Sequence, residues 1–261
     1  MGWGDEIVAA GQAQRIYDAN PSLRVAICDT RAQPRWHPIW DGNPILATPD
    51  QVALGEPVQT VISAPHARPY IVYPFTKDSG WTFNSEFKCR DHVAQIYLTA
   101  EERARGTQAR STYGPYVLIE PYTKHDNFRW PLARWQAVVD ACPEIAFVQH
   151  THRDSPTLHG VHRETATFRE ACGLLTGAAL YVRSESGLCH AAAALGISQV
   201  TVFGACMDPE VMAGYRWQHV IVSGEPCGSW LPCAHCADAM DRITVEQVVT
   251  AIRQQMGGAC R

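Results

Sequence analysis

The second half of the chain alternates short apolar runs with amphipathic stretches, and few folds can accommodate that rhythm. The apolar runs are YVLIEP (116–121), IAFVQH (145–150), ALYVRS (179–184) and SQVTVFG (198–204). Each has the length of a strand and lacks the strict polar alternation of a half-exposed one, which fits strands buried on both faces. The stretches LARWQAVVDA (132–141), TATFREACGLLTGA (165–178), GLCHAAAALG (187–196) and TVEQVVTAIRQQM (244–256) carry apolar residues at helical spacing. The third ends on Gly196, suited to a helix C-cap. Strands joined through helices by short loops pair in parallel, so the class is α/β.

The first half is less regular. Residues 5–18 predict a helix with Ala9, Ala13, Ile16 and Tyr17 on one face, stopped at Pro21. LRVAIC (23–28), VQTVIS (58–63) and YIVYPF (70–75) predict strands, and the Trp/Pro-rich stretch 33–49 predicts a loop. QIYLTAEERARG (95–106) predicts a short strand running into a helix, with Thr99 as N-cap and Glu102 completing a capping box. The polar segment 107–115, broken by Gly114 and Pro115, is expected to divide the chain into domains 1–112 and 113–261, with the last helix able to pack back on the first.

Composition narrows the function classes. The net charge of −4 argues against a broad basic footprint for nucleic acid. No apolar run is long enough to span a membrane. The N-terminus, MGWGDEIVAAG, has no cationic start and carries two acidic residues, so a secretion signal is not expected and the location is expected to be cytoplasmic. Seven of the ten cysteines are scattered singly, several in apolar runs, and read as small core residues. Cys227, Cys233 and Cys236 cluster and, with His235, offer enough ligands for one tetrahedral metal site; thiols packed in a loop explain the same pattern. There is no internal repeat, no GxGxxG after a strand and no Walker A motif.

In open α/β sheets ligands bind at the carboxyl ends of the strands, so the strand-to-helix turns carry the chemistry. In Ser184–His190 (SESGLCH), Ser186 and Gly187 open a helix whose free N–H groups suit a diphosphate. His190 lies one turn in, and Glu185 can accept from a sugar hydroxyl. The plain alternative is a capped helix with a packed histidine. In the loop 120–131, Lys124 and Arg129 can neutralise a phosphate; a solvated loop anchored by Trp130 is the alternative. Near the N-terminus, Gly2 and Gly4 permit a tight turn, and Asp5 at a helix start is either a general base facing a cleft or simply an N-cap.

Taken in order, these turns resemble glycosyltransferase family 9, the heptosyltransferases of lipopolysaccharide core synthesis. Gly4–Asp5–Glu6–Ile7 is similar to the family's G-D-x-hydrophobic turn, and Phe128–Arg129–Trp130–Pro131 in part to its K-x-W-P segment. Residues 185–196 are similar to D-S-G-L-x-H-L-A-A-A-L-G, a strand ending in Phe203–Gly204 follows, and the cysteine cluster precedes a last helix. The match runs over about 113–255 and residues 1–20, with no clear pattern between about 30 and 95. Three departures stand out. With Met1 three residues ahead of Gly4, no strand is expected before the G-D turn; Phe128 replaces the motif lysine; and Glu185 replaces its aspartate.

The resemblance implies a GT-B architecture, two Rossmann-like domains facing a cleft, with the N-terminal domain shortened. It implies an inverting transferase that needs no metal for catalysis and takes its sugar from a nucleotide-sugar donor. Asp5 would be the base, and Lys124, Arg129, Glu185, Ser186, Gly187 and His190 would hold the donor. A metal at the cysteine cluster, Zn or Fe, would be structural. The acceptor is open among lipopolysaccharide core, protein, a small molecule and a modified DNA base. A nucleotide-sugar epimerase or hydrolase of the same fold, or a non-catalytic nucleotide-sugar binder, would carry the same donor motifs.

Overall fold

The computed structural model describes residues 1–72, 83–151, 155–229 and 231–258. In chain order the elements are α1 (Trp3–Ala19), β1 (Arg24–Cys28), α2 (Pro49–Ala53), β2 (Val58–Ile62), α3 (Ala100–Tyr113), β3 (Tyr116–Glu120), α4 (Leu132–Asp140), β4 (Ala146–Thr151), β5 (His162–Thr165), α5 (Phe168–Gly177), β6 (Leu180–Ser184), α6 (Gly187–Ala194), β7 (Gln199–Gly204), α7 (Pro209–Met212), β8 (Gln218–Val222), α8 (Ala234–Arg242) and α9 (Val245–Gly258).

The apolar runs of the second half pair as expected. Six parallel strands form one sheet in the order β5-β4-β3-β6-β7-β8. Its central strands β3, β6 and β7 are buried at every position, which explains their unbroken apolar character. The chain reverses direction across the sheet between β3 and β6, and this switch point opens a crevice beyond their carboxyl ends. The helix α9 packs on α4 and on β6, β7 and β8, within the second half. No helix among the described residues is long and apolar enough to cross a membrane.

The first half is smaller. β1 and β2 form a two-stranded parallel sheet, with α1 packed on both strands and on α6. Ion pairing fixes α1 from below: Arg35 donates to the buried Glu6 carboxylate at 2.7 Å, and the Trp40 indole donates to the Glu6 carbonyl at 2.8 Å.

Some expectations are corrected here. Residues 70–72 carry only an isolated bridge from Ile71 to Phe83, and the rest of YIVYPF lies outside the described residues. No strand forms at 95–99. The segment 107–113 continues α3 instead of breaking it, although the capping box at Thr99 and Glu102 forms as expected. Small residues account for this. A Cβ on Gly106 would lie 2.3 Å from the Gly173 carbonyl oxygen, and one on Gly177 would lie 2.1 Å from that of Gly106. Backbone contact therefore joins α3 to α5, and Arg169 bridges the pair by donating to both Glu102 oxygens, at 2.5 and 2.7 Å. A polar helix with little apolar face is held by close approach and by this pairing.

Candidate active site

At the switch point, β6 ends in Ser184 and the chain turns through Glu185 and Ser186 into α6. Ser186 occupies the N-cap position yet makes no capping hydrogen bond, and its Oγ is buried without a partner among the described residues. The first N–H groups of α6 are thus left for something else, at the positive end of the helix. Lys124 and Arg183 line the same cavity of about 520 Å³, together with Trp3, Glu120, Tyr122, His150, Phe168, Gly187 and Leu188. Arg183 is buried at the end of β6; its guanidinium donates to Tyr181 Oη at 2.7 Å, to the Ser184 carbonyl at 2.9 Å and to the Tyr122 carbonyl at 3.0 Å. Glu120, at the end of β3, places Oε2 3.2 Å from His150 Nδ1. Trp3 of α1 stacks on Phe168 of α5 at 4.5 Å and 12° and closes one wall.

On the other side of Gly187 lies a second cavity, of about 250 Å³. Asp5 faces it. Its Oδ2 accepts from the Gly2 N–H at 2.9 Å, closing the first turn of α1. Its Oδ1 accepts from the Tyr70 hydroxyl and lies 3.2 Å from Arg68 Nε. Glu185 and His190 line the same space, with 3.8 Å between Glu185 Oε1 and His190 Nε2. Burial pushes the Glu185 carboxyl up to about 7 and the His190 imidazole down to about 4. His190 Nδ1 is 2.6 Å from the Tyr215 hydroxyl. The N-termini of α1 and α6 meet between the two cavities: a Cβ on Gly4 would lie 3.0 Å from Gly187 Cα, and one on Gly187 would lie 2.9 Å from the Gly4 nitrogen.

A base candidate and an anion cradle thus meet across two glycines at a switch point. The sequence profile of glycosyltransferase family 9 (heptosyltransferase) matches residues 82–243. The chain belongs to glycosyltransferase family 9. No curated protein sequence matches it. Solved structures similar to it include a family 9 glycosyltransferase from Veillonella parvula, 14% identical with a TM-score of 0.69 over 99% of this chain and 95% of that one. The iron-containing dodecameric glycosyltransferase TibC from enterotoxigenic E. coli is 16% identical, with a TM-score of 0.67 over 99% of this chain and 74% of that one. The E. coli heptosyltransferase WaaC with ADP is 15% identical, with a TM-score of 0.56 over 98% and 97%. The architecture is GT-B, and the family assignment makes the protein a glycosyltransferase.

Within this family 9 chain, the fold brings Gly2, Gly4, Asp5, Glu185, Gly187 and His190 to one cavity, and Lys124, Ser186 and Gly187 to the other. Arg129 joins neither. It pairs with Asp126 at 2.7 Å, donates to the Thr123 carbonyl at 3.3 Å, and lines a separate groove with Tyr122 and Trp130. Arg68, Tyr70 and Arg183 are the polar residues that sequence reading missed. Arg183 had one signal, a charged residue closing an otherwise apolar strand; Arg68 and Tyr70 had none.

The cysteines converge. Cys227 Sγ is 3.2 Å from Cys236 Sγ and 3.8 Å from Cys233 Sγ. The N–H groups of Ser229 and Cys236 point at the sulfurs of Cys227 and Cys233, each at 3.4 Å. Thiolates about 2.3 Å from a tetrahedral metal stand about 3.8 Å apart, so these three fit such a site. His235 is exposed and stands outside the group. Cys206, read as a core residue, donates from its thiol to the Ser229 carbonyl at 3.4 Å. Asn127 ties this loop to the cleft, donating to the Ser229 and Leu231 carbonyls at 2.9 and 3.0 Å and accepting from the Cys233 N–H at 3.2 Å.

Proposed function

We propose that this glycosyltransferase moves a sugar from a nucleoside diphosphate to an acceptor hydroxyl in one displacement, inverting the anomeric carbon and using no metal for that step. The observation that carries this reading is the uncapped start of α6, with a Ser186 hydroxyl that has no partner among the described residues, beside Lys124 and Arg183. Fixed N–H donors and two cations match the charge that develops on a departing diphosphate. The donor lies in the Lys124 cavity, and the acceptor approaches from the Asp5 side. The acceptor oxygen forms the new bond to the anomeric carbon while the bond to the phosphate oxygen breaks. That electron pair leaves with the nucleoside diphosphate, and the acceptor proton passes to the Asp5 carboxylate. Arg68 and Tyr70 hold Asp5 in place, and Glu185 and His190 stand where they can meet the sugar's hydroxyls.

The division into an acceptor-side part, 1–112, and a donor-side part, 113–261, goes with this reading, as does a cytoplasmic location. A structural Zn or Fe would be held by Cys227, Cys233 and Cys236, with Cys206 as a further nearby sulfur and no part in the transfer. TibC is iron-containing, which supports testing iron alongside zinc. WaaC was solved with ADP, so ADP and ADP-sugars head the nucleotides to test.

A thermal-shift screen with ADP-, GDP-, UDP-, CMP- and dTDP-sugars tests the donor site, since a ligand at about 100 times its Kd adds about 2.7 kcal/mol. Asp5→Asn is expected to keep that stabilisation while lowering transfer by about 10²–10⁴-fold. Undiminished transfer would remove Asp5 as the base. Absence of stabilisation by every nucleotide sugar would remove the donor site.

A further inference from the structure

The His190 ring is buried one turn into α6 and is held from several sides. Nδ1 is 2.6 Å from the Tyr215 hydroxyl, and the two rings meet edge to face at 5.8 Å and 87°. Cδ2 lies against the start of α1, where a Cβ on Gly4 would come within 3.0 Å of it. Nε2 is 3.8 Å from Glu185 Oε1, and both residues line the Asp5-side cavity. Tyr215 stands behind that wall, after α7, buried in the cluster that holds Cys89, Phe203 and Met212. Burial and the neighbouring Cys89 thiol keep its phenol well above the ordinary tyrosine range, so it carries its proton at neutral pH. Burial also holds the His190 imidazole down at about 4, so its ring carries one proton there, on Nδ1 or on Nε2.

We infer that Tyr215 is a positioning residue: it fixes His190 as the Nε2–H tautomer, so that His190 donates to, and Glu185 accepts from, one hydroxyl of the donor sugar. The sugar contact rests on the reading of this cleft as a donor site; the tautomer does not. In a neutral imidazole, the bond made by one nitrogen sets the proton on the other. A phenol has one proton to give. Given to Nδ1, it leaves the ring proton on Nε2, beside a carboxyl group that can accept through a bridging oxygen. The opposite arrangement puts the ring proton on Nδ1 and turns the phenol proton away from the imidazole. It also sets a bare Nε2 opposite the Glu185 oxygen, which at 3.8 Å is too far to bond it directly. The same separation suits one oxygen between the two groups. A hydroxyl accepts from Nε2–H and donates to Oε1, at an ordinary length of about 2.8 Å for each bond. An oxygen with no proton to give would satisfy only half of that pair.

Histidine-selective nitrogen NMR of the full chain at neutral pH reads the tautomer directly, with the His190 signals identified by their loss in His190→Gln or His190→Asn. Nδ1 is expected as the bare nitrogen and Nε2 as the protonated one. A protonated Nδ1 in the wild-type chain overturns the inference. Tyr215→Phe removes one oxygen atom and is expected to shift the Nδ1 resonance, because its lone pair loses a donor; an unmoved Nδ1 overturns the inference as well. Binding then separates positioning from packing, using whichever ADP-, GDP-, UDP-, CMP- or dTDP-sugar stabilises the chain and the matching free nucleotide. Tyr215→Phe is expected to weaken the nucleotide sugar by about threefold to tenfold and to leave the free nucleotide unchanged. In a His190→Gln chain, where the ring it acts through is gone, Tyr215→Phe should add nothing. Equal weakening of both ligands, or additive losses in the double variant, makes Tyr215 a packing residue and overturns the positioning role. If no nucleotide sugar stabilises the chain, the sugar contact falls with the donor reading, and the NMR pattern alone upholds or overturns the tautomer.

Discussion

Glu185 and His190 face each other at 3.8 Å with their titrations displaced in opposite directions, and replacing one of them should expose the other. The Glu185 carboxyl is pushed up from its ordinary 4.5 to about 7, mainly by burial. Its folded value lies above its unfolded one, so its contribution to stability is complete below pH 4.5 and is lost as pH rises through about 7. At about 1.4 kcal/mol for each tenfold change in proton affinity, the full swing is about 3 kcal/mol. The side chain keeps 16% of its surface open, and water in the cavity makes that figure an upper one. His190 runs the other way. Its value falls from 6.5 to about 4 by burial, so its contribution is present above pH 6.5 and is lost as pH falls through about 4. Over the overlap the two slopes oppose, and wild-type stability should stay nearly level. Glu185→Gln removes one slope. Relative to wild type it should gain little at pH 4.5 and up to about 3 kcal/mol near about pH 8. Urea unfolding followed by tryptophan fluorescence at the two pH values measures this. An equal stability difference at both would refute burial as the source of the displaced carboxyl.

Two other substitutions probe the frame of the site. Gly173→Ala places a Cβ 1.9 Å from the Glu102 carbonyl oxygen, backbone against side chain, so α3 must part from α5. A loss of about 1–3 kcal/mol is expected, seen as a lower Tm, whereas Gly257→Ala, whose Cβ meets nothing, should not lower it. Cys233→Ser should cut bound zinc or iron, measured by elemental analysis of the purified chain, and should lower Tm by about 2–4 °C for each kcal/mol lost. Full metal content in that variant would remove Cys233 from the site.

The large sheet was legible because β3, β4, β6 and β7 are buried and therefore written in unbroken apolar residues. β5 was not: it is a short edge strand, HRET, with its side chains mostly exposed. β8 is half-buried at the other edge, and α8 hides among the cysteines. α3 was cut short in the reading because its segment 107–113 looks like loop by polarity, and its reason to be helical lies in the glycines of another helix. The site followed the same rule. Glu185, Gly187 and His190 sit within a few residues of one another, and Asp5 carries its own glycine turn, so each left a local pattern. Arg68 and Tyr70 reach Asp5 only through the path of the chain after β2, and no spacing announces them. Arg129 looked like a phosphate ligand by residue type, but Asp126 one turn away claims its guanidinium.

The meeting of Gly4 and Gly187 has a consequence of another kind. Each helix brings its N-terminus to within one absent methyl group of the other. The backbone spacing between the start of α1 and the start of α6 is thus gauged by atoms that are missing, and no rotamer can retune it. Gly187 lines both cavities, so the same pinch stands between them. A side chain at either position would push apart the two helix starts and the walls they lend to the cavities.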